Sequence, residues 1–516
     1  MSKVVLISLD REIMCIGVRL LSACLRQAGH ETRMIFLPLR GSRRQNGTSC
    51  PNYPQVVLDD VVELCQDADL VGLSLMTNQF LQAVAVTRHL KRELTVPVIW
   101  GGVHPTVSPE ECLAYTDIVC IGEGEGALIE LADRLARGES YHDLQNLCFI
   151  SGRKIVRNKV RPLIRDLDGV PFPDYSCQGH FFLDETVKRV RALDREALVN
   201  FSGERYRPTP DFRGLWYPIM TSRGCPYSCT YCCNSAYRQI YAGQRYLRWR
   251  SAENVVAELA EIRETVAPID FVFFVDDNFT ARSEAKLEWF CALYREEIGL
   301  PFFCQCSPLT ISEARMQALL DAGCYKIAMG VETANERVAE MYNRSHFHRQ
   351  LRSAIACVER FRAQMPSPPS YQFIIDNPYE TIEETIQTLE LLLELPRPGD
   401  NPVFSLMLFP GTELYRRARK DGYLVDVMEQ VYKKDWHKHS QPFFQLWLYL
   451  YKANLPTPLL RLLLNESLAR LAEGKRVRMW LSKVLDFLMA SVNSDRGCLM
   501  YLYRLWPLGR GRIWGY

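Results

Sequence analysis

Twice along this chain of 516 residues, apolar runs of strand length alternate with amphipathic stretches of helix length, and that alternation limits the fold more than any other feature. Between residues 1 and 150 the runs VVLISL, TRMIFLP, LVGLSLM, VPVIWGG and DIVCIGEG are separated by helical segments such as GVRLLSACLRQAG and FLQAVAVTRHLKREL. Parallel neighbours in a sheet need a helical crossover, so the pattern predicts a doubly wound, Rossmann-like α/β domain. Ligands of such sheets sit beyond the C-terminal strand ends, where the glycine turns GGVHP and GEGEG fall. From about 216 to 420 the alternation returns with YPIMTS, FVFFVDD, FFCQCS, KIAMGVE, YQFIID and FSLMLFP. Each is followed by a helical stretch, which suits a partial (β/α)6 barrel of TIM type with its chemistry at the C-terminal ends of the strands.

The remaining segments are less regular. Residues 151–215, rich in proline, arginine and aspartate (RPLIRDLDGVPFPDYS), read as a connector able to pack on both neighbours. Residues 421–516 read as a helical, aromatic C-terminal domain in which Lys452, Asn454, Pro456 and Pro458 interrupt the longest apolar stretch, so no spanning helix is expected. From 461 onward ten Lys or Arg face four Asp or Glu, a balance that suits a solvated basic face, peripheral contact with an anionic membrane surface, or an anionic substrate. The whole chain is nearly neutral at +2, which argues against nucleic acid as a partner. The N-terminus MSKVVLISLDRE lacks the features of a signal peptide, so the expected location is cytoplasmic. Most of the 18 cysteines stand alone in apolar runs and read as small core residues of a reducing compartment.

One group of cysteines is different. RGCPYSCTYCC places Cys225, Cys229 and Cys232 at the spacing CxxxCxxC just past the first strand of the second repeat, with Cys233 adjacent. A structural zinc site wants four ligands in paired spacing, and no second pair follows; catalytic zinc usually draws on histidine, and none lies between His180 and His346. Adjacent side chains diverge, which disfavours Cys233 as a fourth ligand. A thioredoxin-like pair would open a helix after a suitable strand, which Cys229 and Cys232 are not placed to do. Three thiolates on a [4Fe-4S] cluster would leave one iron without a protein ligand, open to chelation by an amino acid.

The loop resembles the signature of the radical SAM superfamily, CxxxCxΦC with Φ aromatic, here Tyr231. The resemblance implies that Cys225, Cys229 and Cys232 hold a [4Fe-4S] cluster whose free iron binds S-adenosyl-L-methionine, with Tyr231 against the adenine. It also implies cofactor contacts at two further strand ends: Asp277 and Asn278 in FFVDDNFT, and Glu332 and Thr333 in GVET, with Glu332 accepting from ribose hydroxyls. Asp276 is an alternative member of the first pair or a helix N-cap. IIDNPYET and LFPGTELY look like further segments of the superfamily, with Asn377 where glycine is customary.

The preceding domain resembles the cobalamin (B12)-binding module of a large subclass of radical SAM enzymes, through VGLSLMT, WGGVHPTVSPEE and IGEGEGAL. Gly101, Gly102, Gly122, Gly124 and Gly126 suit close approach of a corrin and its nucleotide tail, with Glu123 and Glu125 in the same turn. Ser74 and Thr77 would offer hydroxyls to the tail, and His104 would order the loop. A nicotinamide or flavin site fits less well, because GEGEG follows a late strand; a nucleotide site without cobalamin stays open. Many such modules carry DxHxxG after the first strand, with the histidine below cobalt. Here, aligned on Gly17, Glu12 stands at the aspartate and Met14 at the histidine, which implies a cobalt without histidine ligation.

The implied reaction is methylation of an unactivated carbon or phosphorus centre of a small-molecule or natural-product substrate, through a 5'-deoxyadenosyl radical and methylcobalamin, with an external low-potential electron donor. Cyclisation or rearrangement, as in the anaerobic porphyrin-ester cyclase branch, is the alternative. A non-catalytic cobalamin carrier or sensor is a third reading.

Overall fold

A computed structural model describes residues 1–10, 12–38, 53–199, 214–266, 268–397 and 399–493, with side chains through residue 485. The N-terminal strands are β1 (Lys3–Ser8), β2 (Glu31–Phe36), β3 (Leu70–Ser74), β4 (Val98–Gly101) and β5 (Ile118–Cys120). They form the parallel centre of one sheet in the order β5-β4-β3-β1-β2. Val4, Val5, Leu6 and Ile7 are all buried because crossover helices cover both faces, which is why these runs lack the alternation of a half-exposed strand. The strand order reverses between β1 and β3, where Ser8 and Ser74 are register partners, and the crevice beyond them is the switch point of a doubly wound sheet.

The segment expected to be only a connector extends this sheet. β6 (Leu147–Ser151) and β7 (Lys154–Arg157) add an antiparallel hairpin beside β5. β8 (Phe181–Asp184) pairs parallel with β2, and β9 (Arg189–Ala192) folds back on it, making nine strands in all. Short runs flanked by charge, such as KIVR and RVRA, gave little periodicity because they lie at the two edges, with mostly exposed side chains.

The second sheet holds β10 (Trp216–Ile219), and next to it in the chain a small ribbon pairs β11 (Ser222–Arg223) with β12 (Arg248–Trp249). Its other members are β13 (Phe271–Phe274), β14 (Phe302–Cys306), β15 (Cys324–Glu332), β16 (Ser370–Ile375) and β17 (Val403–Ser405). These six strands are parallel and in chain order, the arrangement of an open, partial (β/α)6 barrel. Trp216, Phe271, Phe303 and Ala328 pack together near the N-terminal strand ends and close the bottom, so ligand access is left to the opposite rim. Helices between strands start on local signals: Ser251 caps Ala252–Thr265, and Thr381 with Glu384 makes a capping box before Ile382–Glu394. β17 is shorter than FSLMLFP suggests, because the chain turns at Met407–Phe409 ahead of Pro410.

C-terminal helices Pro442–Lys452, Thr457–Leu463, Glu466–Glu473 and Lys475–Asn493 pack among themselves and on Ile382–Glu394, burying Trp447 and Leu460. Among the described residues no helix is long and apolar enough to cross a membrane.

Candidate active site

The cysteine loop leaves β11 at Gly224, whose φ of +88° and lack of a side chain are both required: a Cβ there would lie 2.7 Å from the Tyr246 carbonyl oxygen. The loop is seated on residues 341–344. Thr230 donates from its backbone to Tyr342 O (3.2 Å) and from its hydroxyl to Met341 O (2.8 Å), and Asn343 donates to Ser228 O (3.1 Å). Cys232 then caps the helix Cys233–Ile240, an end that favours a thiolate. The Cys233 thiol donates to the Cys232 sulfur and holds its pKa below the usual thiol value. Burial pushes the Cys225 thiol up to about 12, and burial also raises Cys229, against the pull of Arg344.

Among the described residues no three His, Cys, Asp or Glu side chains are close enough to share a single metal ion. A cubane would not need them on one ion, because its ligands attach to separate corners. Donors already face two of the sulfurs: Arg344 Nη1 lies 3.5 Å from Cys229 Sγ, and Asn234 Nδ2 lies 3.7 Å from Cys232 Sγ. The three thiols and their neighbours fit an iron–sulfur cluster.

The other barrel strand ends divide into groups facing the loop and groups tied into the scaffold. Asp277 is exposed at the rim, and its carboxylate raises the pKa of Cys225 and Cys233. Asp276 is neither cap nor rim group; it is buried and accepts from the Thr221 backbone N–H (3.3 Å), the Thr221 hydroxyl (2.8 Å) and Ser222. Asn278 donates to Ser307 Oγ (3.0 Å) and accepts from Thr280 (3.1 Å) and Thr310 (3.2 Å). Thr333 pairs with Thr388 (3.1 Å) and faces the helix behind it. Glu332, at φ +68°, is half-buried beside Tyr231 and 3.9 Å from Arg344; desolvation pushes its carboxyl above the usual range. Tyr231 meets the edge of Tyr342, ring centroids 4.9 Å apart. The left-handed residue of the IIDNPYET turn is Asp376 (φ +66°), one position before Asn377. Asp376 accepts from His439 Nδ1 (3.1 Å) and from Ser440 N (2.9 Å) and Oγ (2.7 Å), so the C-terminal region reaches the rim at β16.

In the first domain, the expected cofactor residues gather at the C-terminal edge of the sheet with one exception. Met14 is 1% exposed and lies in the core with Leu6 and Phe36, while its carbonyl accepts from Tyr175; it is not offered to a ligand. Gly17 opens the first helix beside Ser74. Thr77 is buried, its hydroxyl 3.3 Å from His104 Nδ1. His104 is fully buried, edge-on to the stacked Phe80 and Tyr432 rings, with Nε2 lacking any hydrogen-bond partner. Gly102 (φ +98°) and Gly122 (φ +84°) need glycine, whereas Gly101, Gly124 and Gly126 have ordinary contacts and would accept a Cβ.

Glu123 and Glu125 do something that the sequence did not suggest. Glu123 pairs with Arg223 (3.0 Å) and Arg248 (2.8 Å), and Glu125 with Arg223 (2.5 Å), all at low exposure. Tyr241 packs into the Gly122 turn and accepts from Glu123 N (3.0 Å). Arg223 stands two residues before Cys225, so the turn of the first domain is clamped to the root of the cysteine loop.

Two family models fall on these two units: the B12 binding domain over residues 2–132 and the radical SAM superfamily over residues 219–392. In overall shape the chain is similar to the cobalamin-dependent S-adenosylmethionine radical enzyme OxsB (TM-score 0.63, 15% identity, 98% of this chain and 79% of that one). In sequence it is 26% identical to an uncharacterized methyltransferase, PH0819, of Pyrococcus horikoshii, over 72% of this chain and 73% of the relative. It is 25% identical to cytidylyl-2-hydroxyethylphosphonate methyltransferase of Streptomyces wedmorensis, over 81% of this chain and 80% of the relative. A thiol trio at the mouth of a parallel half-barrel, clamped to a doubly wound sheet, defines a radical enzyme with a second cofactor domain. The chain belongs to the cobalamin-binding-domain-containing radical SAM enzymes, whose cofactors are a [4Fe-4S] cluster, S-adenosylmethionine and cobalamin.

Burial lowers the His104 pKa to about 4, so the ring is neutral in the folded protein at physiological pH. The unfolded chain takes up a proton near pH 6.5, which the folded chain refuses until about pH 4. Full stability is therefore present above pH 6.5 and is lost progressively as pH falls toward 4, by about 3 kcal/mol for this group. Denaturation of the wild type and of His104→Gln between pH 7 and 4.5 checks this: the wild type should lose more stability on acidification, and parallel curves would refute it.

Proposed function

We propose that this protein methylates an unactivated carbon or phosphorus centre of a small molecule, with S-adenosylmethionine as radical source and methyl donor and cobalamin as methyl carrier. The observation that carries the reading is the clamp of Glu123 and Glu125 on Arg223, which brings the strand-end face of the cobalamin domain against the root of the cysteine loop. When bound, the cofactors supply a low-potential electron, a 5'-deoxyadenosyl radical and a transferable methyl group. The chain's own contribution is to orient them and keep water away.

In this reading Cys225, Cys229 and Cys232 would hold three irons, Tyr231 would lie along the adenine, Asp277 would receive the methionyl ammonium, and Glu332 would receive the ribose. Asn278 and Thr333, already bonded into the scaffold, keep those strand ends in place. Ser74, Gly101, Gly102 and the Gly122–Glu125 turn border the corrin and its tail, and Thr77 with His104 shapes the loop beside them. With Met14 in the core, this assignment leaves cobalt without a ligand from that position. A bound cluster would need an external low-potential donor, in a cytoplasmic, reducing setting. Exposed Leu462, Leu471 and Trp480 near Arg461, Arg476 and Lys483 support peripheral contact of the C-terminal helices with an anionic bilayer.

Anaerobic protein reconstituted with iron, sulfide and hydroxocobalamin, incubated with candidate metabolites, is expected to form methylated product with S-adenosylhomocysteine and 5'-deoxyadenosine in equal amounts. 5'-Deoxyadenosine without S-adenosylhomocysteine would redirect the reading to cyclisation or rearrangement. Iron with no corrin would end the methyl-transfer scheme, and the absence of an iron–sulfur spectrum would leave a carrier or sensor.

A further inference from the structure

Arg344 is 6% exposed, has no place in the superfamily signature read from the sequence, and lies 115 positions beyond the cysteine it touches. Its Nη1 is 3.5 Å from Cys229 Sγ, its Nη2 donates to Gly330 O at 2.6 Å, and its guanidinium carbon sits 3.9 Å above the Phe347 ring. The nearest carboxylate ion-paired with it is Glu332, at 3.9 Å, too far for a hydrogen bond. A buried guanidinium is costly unless an anion answers it. Backbone, ring and sulfur fix the orientation of this one, and the Cys229 sulfur it donates to is a thiolate whenever it holds metal. Its position is also electrostatically odd: Arg344 occupies the N-cap of the helix Ser345–Arg360, an end that disfavours a cation.

We infer that Arg344 is a positioning residue that sets the reduction potential of the cluster by donating an N–H to the Cys229 sulfur and placing a buried positive charge beside it. The inference rests on the cluster reading above. Uptake of one electron makes the cluster and its three thiolates more negative, and Arg344 stabilises that form more than the oxidised one. Hydrogen bonds to sulfur and local charge are the established means by which a protein raises such a potential. The same guanidinium, held by Gly330 O, fixes the sulfur's direction, so the two effects come from one side chain.

The test is a redox titration of anaerobically reconstituted protein without S-adenosylmethionine, followed by electron paramagnetic resonance, with iron and sulfide measured first. Relative to wild type, Arg344→Gln is expected to show a reduced-to-oxidised ratio about tenfold lower at any fixed potential, a midpoint lower by about 59 mV. Arg344→Lys, which keeps the charge with a shorter reach, is expected to fall about threefold in that ratio. Equal midpoints in wild type and Arg344→Gln would overturn the inference while leaving the cluster in place. Should the glutamine variant fail to hold iron, the lysine variant decides: a lowered midpoint supports the inference and an unchanged one overturns it. A wild type without a [4Fe-4S] signal would instead defeat the reading of the site, a separate failure visible before any titration.

Discussion

Replacement of Cys225, Cys229 or Cys232 by alanine, one at a time, is expected to leave the protein folded but strip it of cluster iron and abolish turnover. The same change at Cys233 is expected to keep both. The three former residues have the spacing that reaches three corners of a cubane, and two of their sulfurs are already met by donors at 3.5 and 3.7 Å. Loss of one corner leaves a cluster with two free irons, which is labile and offers no single defined site for an amino acid to chelate. Cys233 follows as the first residue of a helix, adjacent to a ligand position but outside the spacing of the trio. Iron and sulfide content after anaerobic reconstitution, with circular dichroism as the control for folding, reads the result directly. Loss of iron from Cys233→Ala would mean a fourth thiol on the cluster and no vacancy for S-adenosylmethionine.

Gly122→Ala should be the most damaging glycine substitution in the first domain. At φ +84° an added side chain is strained by about 1–2 kcal/mol, and its Cβ would overlap the Tyr241 hydroxyl and lie 2.8 Å from Cζ. Overpacking of this kind adds about 1–3 kcal/mol, for a sum near about 3 kcal/mol. Tyr241 cannot retreat without releasing the Glu123 N–H, and movement of Glu123 disturbs both Arg223 and Arg248. The expected result is a thermal midpoint lower by an amount on the order of 10 °C, with weaker retention of corrin. Gly124→Ala is the matched control: its φ is −94° and its nearest neighbour would be Leu21 at 3.6 Å, so it should behave like wild type. Equal melting of the two variants would show that Tyr241 does not fill this turn.

The cysteine loop was legible because cluster binding by a single loop is written in local spacing, and the strand ends followed from the alternation around it. The roles of individual side chains at those ends were less legible. Glu123 and Glu125 read from the sequence as members of a glycine turn that borders the cofactor. Their actual partners, Arg223 and Arg248, lie 98 to 125 positions away. Met14 stands at the motif position for a metal ligand, yet its thioether is apolar enough to join the core that the strands close over it. Asp277 and Asn278 are expected from the sequence as a pair of cofactor contacts, with Asp276 as an alternative member or a helix N-cap. The chain leaves β13 at Phe274 and turns at Asp277, so Asp276 binds Thr221 just past β10 while Asp277 stays at the rim. For Arg344 a signal was available, a cation at a helix N-cap, but its partner was not.

What the sequence by itself determined is the order of two α/β units, their parallel sheets, and the thiol trio, because each depends on periodicity or spacing over fewer than a dozen neighbours. Only the tertiary structure decided which charges face cofactors and which hold the two units together. Burial makes every charge seek the nearest counter-charge in space, and nearness in space is set by packing, not by position along the chain.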